Sequence, residues 1–171
     1  MKNILILFIS SLLFIGCSNM KLSVDYDDSF DMSNEKTFVV VHKSAEGDNT
    51  LTDDRIINAL ERELVLKNYE KVSEQEADLI FSFQLGVENK SELQPSYEVG
   101  FGRYGRRGGG MVSTSSTYSY KEGTLIIDAL KDEKVVWRGT AVMELKDKKT
   151  PQKRTEYINE IVTKLMSSFP R

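Results

Sequence analysis

The stretch that decides the fold covers residues 123–143 and reads GTLIIDALKDEKVVWRGTAVM. Two largely apolar, β-branched runs, residues 123–130 and 135–143, flank the charged residues 131–134. Such runs, joined by a few polar residues, are typical of antiparallel strands connected by a short turn. We therefore predict a β-hairpin, with Trp137 in the core. Arg138 is expected on the opposite face, either solvated or paired with a carboxylate.

Three further strands are predicted on the N-terminal side of this hairpin. Residues 21–27 alternate apolar and polar side chains, which is the period of a half-buried strand. Residues 36–41 form a β-branched run that favours a central strand, and residues 77–85 form another apolar run. Residues 118–120 are expected to lead into the first strand of the hairpin.

Two helices are predicted from their caps and from helical spacing of apolar residues. Thr52 is the candidate N-cap of the first helix, followed by two aspartates where the helix dipole favours negative charge. Asn68 is a candidate left-handed cap at its end. Thr150 caps the second helix and Pro151 takes its first position. The apolar faces comprise Ile56, Ile57, Ala59, Leu60 and Leu64 in the first helix, and Tyr157, Ile158, Ile161, Val162, Leu165 and Met166 in the second.

The predicted order of elements is β-β-α-β-β-β-α. This order indicates a single α+β domain, residues 21–171, with a mostly antiparallel β-sheet and two helices packed on one face. A Gly/Arg-rich loop is expected at about residues 88–117, where the composition changes sharply.

Composition excludes several classes of function. The chain has 171 residues, room for one ordinary domain, and 23 basic against 26 acidic residues give it a net charge of −3. A nucleic-acid-binding protein would need a basic face to meet phosphates. A single Cys excludes an internal disulfide, and one Cys with one His excludes the usual zinc sets. We expect no cofactor and no metal.

The N-terminus is predicted to be a lipoprotein signal peptide. A short positive start precedes the apolar run 4–15, which has the length of a secretory signal core and ends in Gly16-Cys17. An apolar core that meets a small residue and then Cys resembles a bacterial lipobox. We therefore expect cleavage of residues 1–16 and lipidation of Cys17. The alternatives are an uncleaved anchor, or an ordinary secretory signal in which the Cys stands by chance.

The expected lipid anchor also predicts a location in the cell envelope. Acyl chains on Cys17, palmitate included, would hold the protein in the membrane. Residues 17–20 form a tether of roughly 10–14 Å at about 3.5 Å per residue, so the domain would stay close to the bilayer. Ser18 follows the Cys, and by resemblance to enterobacterial sorting a residue other than Asp there favours the outer membrane. We expect a periplasm-facing domain.

Several segments in order resemble a bacterial envelope lipoprotein family known as domain of unknown function 4136. They are residues 24–27 with Phe30, 36–38, 54–56 through 63–64, 77–79, 122–128 and 136–139. Asn68 departs from the pattern, in which Gly precedes the aromatic residue, but both residue types accept the left-handed cap. The resemblance implies a cell-envelope lipoprotein with no established activity.

The Gly/Arg-rich segment is the candidate contact site. It contains Phe101, Arg103, Tyr104, Arg106 and Arg107 among many glycines. The arginines could meet lipid phosphates or an acidic partner while the aromatic residues act as apolar anchors. A mobile surface loop or a long hairpin tip without a partner is the alternative. Residues 100–105 also spell G-x-G-x-x-G, but no strand-turn-helix context surrounds them, as a dinucleotide site requires.

Other candidate sites have weaker support. His42 has no partner at metal-ligand spacing, and it is the only His available for Ser/His/Asp catalysis. Four acids near the end of the first strand lack the Gly and the closing Glu of a calcium loop, so we expect a solvated strand end. These acids are Asp25, Asp27, Asp28 and Asp31. Glu122 and Asp128 remain open as a carboxylate pair.

The sequence therefore favours a non-enzymatic envelope protein. Acyl chains on Cys17 would anchor it in the membrane, and it would bind another envelope component, either a protein or a lipid. Two alternatives stay open. One is an envelope enzyme that acts on a cell-wall polymer through two carboxylates about 5–10 Å apart. The other is a small-ligand-binding lipoprotein with a cavity between sheet and helices.

Overall fold

The computed structural model describes residues 20–42, 50–98, 112–145 and 150–170. These residues form one sheet whose spatial order is β1-β6-β5-β4-β2-β3. The strands are β1 (Met20–Tyr26), β2 (Thr37–Val40), β3 (Glu70–Lys71), β4 (Leu79–Glu98), β5 (Val112–Lys131) and β6 (Lys134–Glu144). A short 3₁₀ helix (Met32–Asn34) lies between β1 and β2.

The hairpin predicted from residues 123–143 is confirmed as β5 and β6. Lys131 pairs with Lys134, so the turn contains two residues and not the four predicted. Asp132 and Glu133 both have positive φ angles, 49° and 63°. This is the conformation that a two-residue hairpin turn needs to match the twist of its strands.

Strand β2 joins the sheet in the parallel sense. It pairs with β4 on one side and with the two-residue strand β3 on the other, which the sequence did not predict. The carboxylate of Asp78 accepts hydrogen bonds from the backbone N–H groups of Lys36 and Thr37, each at 2.9 Å. These bonds lower the pKa of Asp78 below its usual value. They fix the start of β2 beside the start of β4, while the remaining pairings of the sheet are antiparallel as predicted.

The two helices are α1 (Thr50–Leu66) and α2 (Pro151–Met166). Helix α1 begins by Thr50, so Thr52 lies inside the first turn and is not the cap that we predicted. The left-handed cap predicted at the end of α1 is confirmed, because Asn68 has a φ angle of 68°. Thr150 caps α2 by accepting a hydrogen bond from the N–H of Lys153 at 3.3 Å, with Pro151 in the first turn.

The core lies between the helices and one face of the sheet. Phe169, just after α2, packs edge-on against Trp137 at 5.1 Å and Phe81 at 5.3 Å between ring centroids. Trp137 is fully buried, as predicted. The helices contribute Ile56, Ala59, Leu60, Leu64, Ile161, Val162, Leu165 and Met166 to this core. The predicted α+β architecture is therefore confirmed.

Gly139 allows α2 to approach β6 closely. A Cβ atom at this position would lie 2.9 Å from Cγ of Leu165 and would also meet the ring of Trp137. Real Cβ atoms do not come that close, so only Gly fits between the indole ring and the helix without displacement.

The loop predicted at about residues 88–117 is wrong for its two ends, and residues 99–111 lie outside the described part of the chain. Strand β4 continues to Glu98 and strand β5 starts at Val112, with an unbroken antiparallel register between them. Residues 88–98 and 112–117 are thus strand. Their backbone pairs through the ladder although their side chains show little of the apolar alternation by which strands are predicted.

Candidate functional site

Strands β4 and β5 extend well beyond the rest of the sheet as a two-stranded ribbon. We call the paired segments 88–98 and 112–122 the hairpin arm. Its register runs from Glu88 opposite Glu122 to Glu98 opposite Val112. At about 3.3 Å per residue the arm is roughly 33 Å long. Strand β6 ends at Glu144, opposite Glu122, so the described sheet does not flank the arm beyond that point.

The part of the arm nearest the sheet is held by polar contacts. Lys90 lies 2.8 Å from Glu88 and 3.7 Å from Glu122, and the hydrogen bond to Glu88 is the main cause that raises the pKa of Lys90. The hydroxyl of Tyr120 donates to Glu92 at 3.1 Å, which raises the pKa of this tyrosine. None of the described residues in the arm belongs to the hydrophobic core.

The predicted contact residues lie outside the described part of the chain. They are Phe101, Arg103, Tyr104, Arg106 and Arg107, within residues 99–111. The chain order nevertheless fixes where this segment is attached, because it joins Glu98 to Val112. The sequence therefore attaches the three arginines to the end of the arm that is farthest from the core.

Met20, the first described residue, lies at the end of the sheet from which the hairpin arm extends. In register across the sheet, Met20 pairs with Met143, Met143 with Gly123, and Gly123 with Val87. The arm begins at the next residue, Glu88. Because neighbouring strands are about 4.8 Å apart, Met20 and Gly123 are separated by roughly 10 Å. Cys17, outside the described residues, precedes Met20 by three positions.

The face of the sheet opposite the helices carries a paired Asp and Arg. Nε and Nη2 of Arg138 donate to the two carboxylate oxygens of Asp128 at 2.6 and 2.7 Å. Asp128 is buried, whereas the Arg138 side chain is half exposed. Arg138 was predicted to be either solvated or paired with a carboxylate, and the structure shows it paired. It also explains how a carboxylate can be buried in the middle of β5.

Glu122 and Asp128 do not form a carboxylate pair. They are six residues apart on one strand, which separates them by roughly 20 Å. Asp128 is held by Arg138, and Glu122 lies 3.7 Å from Lys90. A glycosidase-type mechanism needs its two carboxylates about 5–10 Å apart, so this pair cannot act in that way.

His42 lies near a buried acid that the sequence analysis did not identify. Its Nε2 lies 3.6 Å from Oδ2 of the buried Asp53, and its ring stacks on Phe83 at 4.0 Å between centroids. Asp53 is on α1, eleven positions along the chain, so local spacing gave no signal. Within the described residues, no group of three or more His, Cys, Asp or Glu side chains could hold a metal ion.

Two of the four acids near the end of β1, Asp27 and Asp31, stabilise local structure. Asp27 accepts hydrogen bonds from Lys134 at 2.5 Å and from Ser29, which lower its pKa to about 2. Asp31 accepts from the N–H of Ser33 and caps the 3₁₀ helix. A shallow groove of about 370 Å³ opens beside these residues, lined by Asp25, Tyr26, Asp27, Lys134, Val135, Val136, Trp137 and Arg138. It lies between β1 and β6, not between sheet and helices.

The described helices do not test the predicted membrane anchor at Cys17. Among the residues that it describes, no helix is both long enough and apolar enough to cross a bilayer. The predicted signal peptide, residues 1–16, lies outside that part of the chain.

Comparison with known proteins agrees with the resemblance seen in the sequence. The family model described as Domain of unknown function (DUF4136) matches residues 22–171. No curated protein sequence matches the chain.

Solved structures show a distant likeness in fold. The chain is similar to a PDZ domain protein from Parabacteroides distasonis ATCC 8503, with a TM-score of 0.54 and 17% identity. The match covers 90% of this chain and 38% of that chain. Two structures of a PelC dodecamer from Paraburkholderia phytofirmans each give a TM-score of 0.45, with 12% and 10% identity, and cover 86% of this chain and 95% of the other.

Proposed function

We propose, from the premise that this chain belongs to the DUF4136 family, that it is a lipid-anchored, non-enzymatic envelope protein. Residues 1–16 are removed, Cys17 carries the acyl chains, and the domain faces the periplasm from the outer membrane. The hairpin arm carries the binding surface for another envelope component. No enzymatic activity and no cofactor belong to this proposal.

One observation carries the proposal: Met20 and the base of the hairpin arm lie at the same end of the sheet. The row Met20, Met143, Gly123 and Val87 brings the entry of the chain next to the base of the arm. Three residues of tether reach about 10 Å from Met20 to Cys17. An anchor at Cys17 therefore holds the base of the arm close to the headgroups. The arm is longer than the tether and polar near its base, so it runs along the membrane surface instead of entering the bilayer.

The segment at the end of the arm supplies the binding chemistry. Residues 99–111 contain Arg103, Arg106 and Arg107 and no acidic residue. Guanidinium groups bind carboxylates and phosphates through paired hydrogen bonds. Phe101 and Tyr104 add apolar area of the kind that dominates protein interfaces. The partner that best fits this set is an envelope protein with an acidic surface close to the same membrane.

Lipidation can be tested independently of binding. The wild-type protein should incorporate labelled palmitate and lose its signal peptide. Cys17→Ala should abolish the label and leave the precursor uncut. Continued labelling of that variant would refute the anchor at Cys17.

Binding can be tested by photo-crosslinking in intact cells. A photo-reactive residue at Tyr104 should capture one protein, whose mass identifies it. The same probe at Asn58, exposed on α1, is the control and should not capture that protein. Lipid adducts alone, or no adduct, would contradict the proposal that the arm binds a protein.

A further inference from the structure

We infer that the outer edge of β1, residues 20–26, pairs with β1 of a second copy of this chain. The two strands run antiparallel about a two-fold axis at Ser23 and join the two sheets into one. The inference rests on the proposed removal of residues 1–16, because the edge must be clear of them. It does not depend on what the hairpin arm binds.

The outer edge of β1 is unpaired in the part of the chain that the structure describes. Strand β1 stands at one end of the sheet, and among the described strands it pairs with β6 alone. After β6 the chain turns away from β1, because the N–H of Leu145 donates to the carbonyl of Lys121 on β5 at 2.7 Å. In the processed chain only residues 17–19 precede Met20, too few to turn and run back along the strand.

The backbone groups of alternate residues point to this edge. The N–H of Asp27 donates to the carbonyl of Val136 on β6 at 3.0 Å, in register with the pairing of the two strands. Successive backbone groups point to opposite sides of a strand, so those of Leu22, Val24 and Tyr26 point away from β6. An edge of this kind presents a row of donors and acceptors to a strand that can lie beside it.

An axis at Ser23 satisfies this row along its whole length. It sets Leu22 opposite Val24 of the copy, and Met20 opposite the copy's Tyr26. Because the backbone groups of all four residues point outward, both pairs can exchange hydrogen bonds. A pair of identical strands about a two-fold axis closes and does not propagate.

The charged residues of β1 select a second copy as the occupant of this edge. With the axis at Ser23, Lys21 lies opposite Asp25 of the copy, and Asp25 lies opposite the copy's Lys21. These are non-hydrogen-bonded positions, where the side chains of an antiparallel pair come closest. An axis at Leu22 or at Val24 brings Lys21 opposite Asp25 in neither copy, and an in-register parallel pairing sets like charges side by side. The strand is therefore complementary to itself in one orientation and one register.

Pairing also extends a row of alternating charge across the open face of the sheet. Within one chain, Asp128 lies opposite Arg138, and Arg138 lies opposite Asp25. The next position in this row is taken by Lys21 of the copy. The order acid, base, acid, base sets each charge beside an opposite one.

The same pairing covers apolar side chains that are exposed on the other face. Leu22 and Tyr26 are exposed, although they lie opposite Ala141 and Trp137, which are buried in the core. Val24, between them on the same face, is exposed as well. In the pair each of these side chains lies opposite an apolar side chain of the copy, which adds apolar contact to the backbone hydrogen bonds.

The first test places a cysteine at the axis. The two Cα atoms of a non-hydrogen-bonded antiparallel pair are about 4.5 Å apart, which a disulfide can span. In native membranes, where Cys17 of the processed chain is acylated, we expect oxidation of Ser23→Cys to give a covalent dimer. Val24→Cys should crosslink much less, because its two copies are offset by about 6.6 Å along the strands. Asn58→Cys, exposed on α1, is the control and should stay at the wild-type baseline. Equal crosslinking at positions 23 and 24, or none at 23, would overturn the inference.

The second test exchanges charges between two chains in detergent. Lys21→Glu sets acids opposite acids and Asp25→Lys sets bases opposite bases, so we expect each variant alone to have a dimer dissociation constant at least about tenfold above that of the wild type. A mixture of the two variants restores both ion pairs and should sediment as a heterodimer. Lys153→Glu, exposed on α2, makes the same change in charge and should leave the dimer intact. A monomeric wild type, or a mixture that stays monomeric, contradicts the inference.

Pairing further changes how the domain meets the membrane. The two copies point in opposite directions, so Asp28, two residues after Tyr26, comes near Met20 of the copy. In sparse vesicles, where chains are single, a fluorophore at Asp28 should be quenched weakly by nitroxide-labelled headgroups. We expect this quenching to rise with the surface density of the wild type and to stay weak for Lys21→Glu. The base of the arm stays beside its own anchor in both forms. The palmitate label and the capture at Tyr104 test the proposed function separately.

Discussion

At the scale of single residues, the pairing of Asp128 with Arg138 is the clearest stabilising contact on the open face. Arg138→Ala leaves the buried carboxylate without its donors, so we expect a loss of about 2–3 kcal/mol in the free energy of unfolding. Lys164→Ala removes an exposed ion pair with Glu160 and should cost less than about 0.5 kcal/mol. Urea unfolding measures both. The account is contradicted if the two variants lose the same amount.

The ion pair between Asp27 and Lys134 predicts a pH dependence. The pKa of Asp27 in the folded protein is about 2, below its usual 3.8, because Lys134 and Ser29 donate to the carboxylate. The contribution to stability is therefore present above about pH 4 and is lost as the pH falls toward 2. An NMR titration should give a midpoint near 2 for the wild type and a higher one for Lys134→Met. A wild-type midpoint near 3.8 would argue against the pairing.

The close packing around Gly139 predicts that a larger residue there lowers stability. Gly139→Ala forces a methyl group against Leu165 and Trp137, so we expect a destabilisation of about 1–3 kcal/mol. At Gly86 the nearest atom to an added Cβ is the carbonyl oxygen of Thr124, 4.0 Å away. Gly86→Ala should therefore leave the free energy of unfolding nearly unchanged. Thermal or urea denaturation of both variants provides the measurement, and equal effects would contradict the close approach of α2.

At the scale of elements, the arm should be separable from the fold. All the core residues lie outside it, as far as the structure describes them. A chain in which an Asn-Gly turn replaces residues 89–121 keeps the last pair, Glu88 with Glu122. We expect it to fold with a melting temperature within about 2 °C of the wild type, since no described residue of the arm belongs to the core. Failure of this chain to fold would show that the arm is part of the core structure.

Local chemistry explains which elements the sequence predicts. The turn between β5 and β6, the cap at Thr150 and the left-handed Asn68 each depend on neighbouring residues, and each was predictable. The parallel pairing of β2 with β4 depends on Asp78, about forty positions from Thr37, and so gave no local pattern. The arm was missed for a different reason. Its strands pair through the backbone, and their sequence lacks the apolar alternation that reveals strands.

At the scale of the whole molecule, only part of the candidate site can be predicted from the sequence. The predicted lipobox at Cys17 and the Gly/Arg-rich segment are visible as composition and spacing. The position of Met20 beside the base of the arm is not, because it depends on the register of four strands across the sheet. The proximity of His42 to Asp53 is likewise a product of tertiary structure.

The central claim is that the anchor and the arm share the membrane-facing end of the domain. Fluorophores on cysteines introduced at Lys121 or at Asp28 report this directly in lipidated protein in vesicles with nitroxide-labelled headgroups. Both positions are exposed, and they lie roughly 25 Å apart along the strands. The account predicts strong quenching at position 121 and weak quenching at position 28. Equal quenching, or stronger quenching at position 28, would contradict it.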